Sequence, residues 1–319
     1  MNPPGAGNRT VAAGTRAGIA VVHDPLTGLT HRAFHPLQPG RVRLDDAQIN
    51  AWPTIAAHQL RGRLPVSVCW SPLTRCNLSC PYCLDDTRVA DVFPAARLRI
   101  AEILGGSGVL GVDVSGGEPL LLRDLTALLD RLSPSTAVSV TTNGWHLARR
   151  AVELAGKVDA VRVSLDGPDS ARHDRWRGTG SFARAVQGIS VARDHGIPLR
   201  LQTVLLRSNQ HHAQAMVDLA AELGTSGVTF LQMLPIGEGR HLAADEQLSD
   251  QRAQDLIDTL DVPAEVTVRL RTRAAAGGFT VIRADGHVWR NDPDSTGITT
   301  LHPLRSADDL ALTGEDGSA

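Results

Sequence analysis

Between Leu64 and about Leu270, short runs rich in Val, Ile and Thr alternate with longer amphipathic segments, and this alternation limits the fold more than any other feature of the chain. Repeated strand–helix units lay their strands side by side in a parallel sheet that the helices cover. The runs at 65–71, 109–115, 137–142, 160–166, 199–205 and 228–233 are the expected strands. The segments at 95–104, 122–132, 146–155, 181–195 and 211–223 carry apolar residues at helical spacing and are the expected helices. A parallel strand covered on both faces reads as one apolar run, yet these strands alternate. The first puts Val66, Val68 and Trp70 on one face and Ser67, Cys69 and Ser71 on the other. Later strands repeat the pattern, with second faces reading Gly111, Asp113, Ser115; Ser139, Thr141, Asn143; Arg162, Ser164, Asp166; and Arg200, Gln202. With helices on the apolar faces, the polar faces line a lumen, as in a partial α/β barrel whose chemistry sits at the C-terminal strand ends. Asp113, Arg162, Arg200, Gln202 and Gln232 are the substrate-pocket candidates from alternation alone.

The barrel is expected over 63–270, flanked by two additions. Residues 1–62 are rich in Gly, Pro and Arg, lack the periodicity of a long helix or buried strand, and read as an N-terminal extension with room for a short hairpin at 21–31. Residues 271–319 read as a C-terminal extension: a hairpin over 279–289 turning at Asp285-Gly286, then a frayed tail at 314–319. A chain of 319 residues with 42% apolar content can bury one sizeable catalytic domain. Its net charge of −2 and 3% aromatic content supply neither a basic footprint nor stacking platforms, so no nucleic-acid partner is expected. No apolar run approaches the roughly 18 residues of a membrane span, and a cytoplasmic protein with no membrane partner is the default expectation.

Three of the four cysteines fall within eight positions, Cys76-Asn-Leu-Ser-Cys80-Pro-Tyr-Cys83, directly after the first expected strand. That clustering points to metal and away from a disulfide framework. A [4Fe–4S] cube needs one ligand per iron, and three local thiols leave one iron open to a small molecule. A zinc site is the alternative, and its fourth ligand would be Asp85 or Asp86. Ser115-Gly116-Gly117-Glu118-Pro119 ends the second strand; its glycines let backbone approach a ligand, and Glu118 can accept hydrogen bonds from an ammonium group. Thr141-Thr142-Asn143-Gly144 and Ser164-Leu165-Asp166-Gly167 end the third and fourth strands, where such residues also commonly cap the next helix.

Over about residues 64–240 the sequence resembles the radical S-adenosylmethionine (SAM) superfamily, in which C-x-x-x-C-x-x-C follows the first strand of a TIM-like partial (βα)6 barrel. The resemblance implies that Cys76, Cys80 and Cys83 hold the cluster and that its open iron chelates the amino and carboxylate groups of S-adenosyl-L-methionine. An electron from an external donor such as flavodoxin or ferredoxin then breaks the sulfonium bond, giving methionine and a 5′-deoxyadenosyl radical that abstracts hydrogen from substrate. By the same resemblance Gly116, Gly117 and Glu118 meet the methionine amino group, and Tyr82 packs near adenine. Thr141, Asn143, Ser164 and Asp166 match the third- and fourth-strand elements, with Ser164 and Asp166 as contacts to ribose or carboxylate. His173-Asp-Arg-Trp-Arg177-Gly178 resembles the loop before the fourth helix in the branch that modifies peptides and cofactors, and reads equally well as a solvated charged loop.

The chain departs from that branch in one respect. Relatives there often carry cysteines for auxiliary clusters near a Gly-containing hairpin, whereas this sequence has none after Cys83. Without a second cluster to accept an electron or donate sulfide, epimerisation, rearrangement, elimination or decarboxylation is favoured over dehydrogenation or sulfur insertion. A small natural-product intermediate of nucleoside or sugar type is the expected substrate, with a peptide as the alternative. The intact motifs argue against a decayed, non-catalytic barrel. Cys69 is the thiol not assigned to the cluster; alternation points it into the lumen, as a hydrogen-atom donor to a product radical or else as packing.

Overall fold

A computed structural model describes residues 7–56, 59–60, 63–84, 89–132, 136–274, 279–291, 298 and 301–312. Four antiparallel strands open the chain: β1 (Asn8–Arg16), β2 (Ile19–Asp24), β3 (Leu29–Arg32) and β4 (Gly40–Asp45), in the order β3-β2-β1-β4, followed by α1 (Asp46–Ala51). Strand β5 (Ser67–Trp70) leads into the cysteine loop. Then come α2 (Pro94–Gly106), β6 (Gly111–Val114), α3 (Leu125–Arg131), β7 (Ala137–Thr142), α4 (Leu147–Leu154) and β8 (Ala160–Ser164). Next are α5 (Ser170–Arg177), α6 (Ser181–Asp194), β9 (Leu199–Leu205), α7 (Ala213–Glu222) and β10 (Gly227–Gln232). The chain continues through α8 (Ala243–Glu246), α9 (Asp250–Asp258), β11 (Thr267–Arg271), β12 (Thr280–Ile282), β13 (His287–Arg290) and β14 (His302–Pro303).

All six expected strands form β5 to β10 and pair as parallel neighbours in sequence order. Two more strands extend the run, β11 parallel to β10 and, at the far edge, β12 parallel to β5. Among the described residues no ladder joins β11 to β12, so the barrel is partial; the Arg271 guanidinium lies over the Phe279 ring, 4.7 Å from its centroid, and spans the seam. The apolar faces behave as alternation dictates. Val68, Trp70, Val112, Val114, Val138, Val140, Val161, Val163, Leu199 and Leu201 are buried in one core with the inward faces of α2, α3, α4, α6 and α7. Burial contributes about 1.5–3 kcal/mol per large apolar side chain, and this layer fixes which strand face turns inward.

The N-terminal residues are more than a hairpin. β2 and β3 pair over the expected segment, and β1 and β4 add to them, because short alternating residues serve both faces: Val11, Ala13 and Val22 pack with Ile49 and Trp52, while Ala12 and Val21 pack with Val66, Leu110 and Ala137 of the barrel. The turn between β2 and β3 enters the lumen at the N-terminal strand ends. The carbonyl oxygens of Pro25 and Leu26 accept from the Arg162 guanidinium, and that of Thr27 accepts from Arg269. His23 lies so close to β6 that a Cβ on Gly111 would stand 2.2 Å from its ring. The lumen therefore has a floor.

Helix α5 also differs from the charged-loop reading. Asp169 caps it, accepting from the Arg172 amide, and His173 is fully buried. Gln232 is the one pocket candidate on the wrong face: it follows Val228 and Phe230 on the outer side of β10, where its amide donates to the Leu248 carbonyl and its oxygen accepts from the Arg273 amide. The hairpin expected over 279–289 forms as β12 and β13, with Gly286 at φ +79°. The tail at 314–319 lies outside the described residues. None of the helices among the described residues is long and apolar enough to cross a membrane.

The buried floor carries a pH dependence. Desolvation, and next Arg162, hold the His23 pKa down to about 3, against about 6.5 when unfolded. Neutral in the fold and charged in the unfolded chain, His23 stabilises fully above pH 6.5 and withdraws stability as pH falls from there towards 3, by about 2 kcal/mol at pH 5. The thermal midpoint of wild type is therefore expected to fall more between pH 7 and pH 5 than that of His23→Gln. Equal falls would mean that His23 does not titrate with unfolding.

Candidate functional site

The C-terminal ends of β5, β6, β7 and β8 meet at one mouth of the lumen, and backbone hydrogen bonds stitch their loops together. The Ser115 amide donates to the Trp70 carbonyl, the Gly117 amide to Leu73 (2.9 Å) and the Glu118 amide to Arg75 (3.0 Å), so the Gly-Gly-Glu-Pro turn lies against the segment that enters the cysteine loop. The fit leaves no room for side chains. A Cβ on Gly117 would stand 2.3 Å from the Arg75 oxygen, and one on Gly116, at φ +97°, would stand 2.7 Å from the Leu73 oxygen. Two glycines are what this contact requires.

Glu118 is fully buried, and its carboxylate binds the turn to the third strand end. One oxygen accepts from the Leu120 amide (3.0 Å) and the Thr142 hydroxyl (2.7 Å), and the other from the Asn143 amide (2.8 Å). Burial pushes its pKa up, and the three donors oppose that. Asn143 reaches the cysteine loop itself, its side-chain amide donating to Asn77 at 2.9 Å and approaching the Cys76 sulfur at 3.8 Å. Cys76 also receives the Leu78 amide at 3.4 Å.

A second network stands behind Cys80. The Tyr82 hydroxyl and the Arg177 guanidinium both donate to one oxygen of Asp166, and the Val204 amide donates to the other (2.8 Å). Tyr82 and Asp166 are buried, at 7% and 1% exposure, and Trp176 packs against the Tyr82 ring. The Asp166 amide donates to the buried ring of His173 at 3.1 Å, tying α5 to the strand end. Sequence reasoning missed Arg177. The signal was present in the i,i+4 spacing of His173 and Arg177 behind a capping Asp169, which places both on one helix face.

Below the mouth, Cys69, Asp113 and Ser139 share a register across β5, β6 and β7. The Cys69 sulfur lies 2.9 Å from the Ser115 hydroxyl. Asp113 pairs with Arg162 at 3.0 Å and accepts from Ser139 and Thr141. Ser164, partly exposed on the same face, and Gln202 beside it line the wall. Thus Gly116, Gly117, Glu118, Asn143 and the cysteine loop are in direct contact, Tyr82 and Asp166 pair behind that loop, and Thr141, Ser164 and Cys69 face the lumen beneath.

The donor set fits an iron–sulfur cube. Three soft thiolates come from one loop, and amide N–H groups aim at the Cys76 sulfur, as hydrogen bonds do that tune such clusters. Burial raises the pKa of Cys76 and Cys80, a shift that an iron's positive charge reverses. Among the described residues no three His, Cys, Asp or Glu side chains gather closely enough for a single ion. Thiols that each serve a different iron stand wider apart than that. Asp85 and Asp86, the zinc alternative's carboxylates, lie outside the described residues.

Residues 70–220 match the family model of the radical SAM superfamily. A GTP 3′,8-cyclase of Pelotomaculum thermopropionicum is 33% identical over 217 residues, 64% of this chain and 65% of that one. A probable GTP 3′,8-cyclase of Saccharolobus islandicus is 28% identical over 199 residues, 60% of this chain and 64% of that one. The chain thus spans under two thirds of the length of these curated relatives. Among solved structures, Streptococcus suis SuiB bound to S-adenosylmethionine superposes with a TM-score of 0.56 at 18% identity, covering 71% of this chain and 60% of that one. Native anSMEcpe with bound AdoMet gives 0.53 at 16% identity, covering 71% and 74%. Members of the matched family bind a [4Fe–4S] cluster and S-adenosylmethionine. From its motif-bearing strand ends to its parallel sheet, this chain carries a radical SAM domain over residues 70–220.

Proposed function

We propose that this enzyme binds one [4Fe–4S] cluster through Cys76, Cys80 and Cys83, cleaves S-adenosylmethionine reductively, and acts on a small molecule of nucleoside or sugar type. The observation that carries the small-molecule reading is the floor: the carbonyls of the turn at 24–28 accept from Arg162 and Arg269 at the N-terminal end of the lumen, leaving a polar-walled chamber between that turn and the cysteine loop. Such a chamber suits a compact ligand buried whole. The curated relatives, named for a nucleotide substrate, agree with that scale.

When bound, the cluster and S-adenosylmethionine supply the electron and the 5′-deoxyadenosyl radical; an external donor such as flavodoxin or ferredoxin supplies reducing equivalents. The chain's own residues position and exclude. Gly116 and Gly117 bring backbone against the methionine end, with Glu118 holding their turn to Thr142 and Asn143. Asp166 orients Tyr82 beside the adenine end, and Ser164 and Thr141 line the chamber. The proposed outcomes are epimerisation, rearrangement, elimination or decarboxylation, since the hairpin at 279–291 carries no cysteine for a second cluster.

Cys69 is the proposed hydrogen-atom donor for the epimerisation case, since its thiol shares the lumen register with Asp113 and meets Ser115; the thiyl radical left behind is returned to the thiol by one electron from the external donor and one proton. The test is turnover in deuterium oxide with a screened nucleoside or sugar substrate. Wild type is expected to place one deuterium in product from the exchanged thiol, and Cys69→Ala to form 5′-deoxyadenosine without that product. An unchanged labelled product from Cys69→Ala would reduce Cys69 to packing.

A further inference from the structure

The lumen holds more positive charge than its own carboxylates can balance. Four arginines point inward: Arg162 on β8, Arg200 on β9, and Arg269 and Arg271 on β11, where Val268 and Leu270 take the outer, apolar face. Three of them are committed. Arg162 is paired with Asp113 and with the carbonyls of Pro25 and Leu26. Arg200 donates to Thr229, Thr267 and the Val228 carbonyl, and Arg269 to the Thr27 carbonyl, so both hold the floor. Arg271 is different. Its contact among the described residues is the face of Phe279, which leaves the five N–H donors of its fork without an oxygen. It lies within electrostatic range of Cys69 and Asp113, and Asp113 is already held by Arg162, Ser139 and Thr141.

Arg271 is half-buried, no protein oxygen among the described residues accepts from its N–H groups, and the stacked Phe279 ring holds its plane in place, so the fork stands open to a ligand. A carboxylate or phosphate offers two oxygens in the geometry of the fork. From this we infer that the substrate carries a phosphate or carboxylate group, which Arg271 binds in the lumen so that the rest of the molecule lies beside Cys69 and under the cysteine loop. The inference rests on the small-molecule reading above and narrows it to anions. Arg271 thereby sets specificity: a neutral nucleoside or sugar would leave its fork empty.

The test uses the cluster-loaded protein without S-adenosylmethionine. Inorganic phosphate, pyrophosphate and malonate are titrated at constant ionic strength, and binding is read by calorimetry and by the thermal midpoint. Wild type is expected to bind at least one probe, with the phosphate and malonate arms showing which anion the site prefers. Arg271→Gln is expected to weaken that binding at least about tenfold, and Arg271→Lys, which keeps the charge and loses the fork, to fall between. Arg240→Gln, at an exposed position, should match wild type. If Arg271→Gln fails to fold, the Lys variant and the wild-type titration still decide. No binding by wild type, or equal binding by wild type and the Arg271 variants, would overturn the inference. No radical chemistry is read, so failure here leaves the proposed function standing; failure of that function would appear as absent 5′-deoxyadenosine.

Discussion

Replacing Cys76, Cys80 or Cys83 with Ala is expected to abolish 5′-deoxyadenosine formation, while Cys69→Ala leaves it in place. In the proposed assignment each loop thiolate serves its own iron, and a cube with two protein ligands has no support to replace the third. Iron and sulfide in the reconstituted wild type should come to about four of each per chain, and not about eight, from the stoichiometry of one cluster. The three loop variants should lose most of that iron. Cys69→Ala should keep it, because Cys69 lies on β5, against Ser115 at the end of β6, and not in the loop. A loop variant that retains full iron and activity would remove its cysteine from the cluster, and a second cluster's worth of iron would undo the preference for redox-neutral outcomes.

Gly117→Ala is the second large effect. The added Cβ would stand 2.3 Å from the Arg75 oxygen and 2.5 Å from the Thr74 oxygen, both backbone atoms on the approach to Cys76. No rotamer relieves that contact, so the turn and the cysteine loop must separate by roughly an ångström, a displacement that costs about 100-fold in rate when it misplaces reacting groups. The expected result is a loss of about that size in 5′-deoxyadenosine formed per cluster. Gly106→Ala at the end of α2, where a Cβ meets nothing within 4 Å, should leave the rate alone. Equal rates for the two variants would mean that the turn does not hold the loop.

The barrel was legible because two periods differ. Strands such as 137–142 and 199–205 alternate with period 2, and the helices between them carry apolar residues with period 3.6, so both element type and inward face could be read. Local pattern did not reach contacts made between distant segments. Nothing near Pro25 signals that its carbonyl will accept from Arg162, and the N-terminal strands use Ala and Gly inward, which carry little hydrophobic signal. Gln232 looked like part of a polar face because the strand's apolar face ends in a polar residue that pairs with the Leu248 carbonyl. Helix α5 was hidden by its charge, since only a cap and a buried His173–Arg177 face mark it.

The motif residues themselves were legible, but their connections were not. Glu118 and Asp166 each have both carboxylate oxygens occupied by partners in the fold. They therefore support the loops that frame the site as much as they stand ready for a ligand, a role that only three-dimensional geometry could assign.

The measurement that bears most directly on the whole account is 5′-deoxyadenosine formation by the reconstituted wild type given S-adenosylmethionine and dithionite. The account predicts its slow release without substrate, faster release with the right small anionic substrate, and none without reductant. A protein that carries about four irons per chain, from one-cluster stoichiometry, and yet forms no 5′-deoxyadenosine under reduction with any substrate would contradict it.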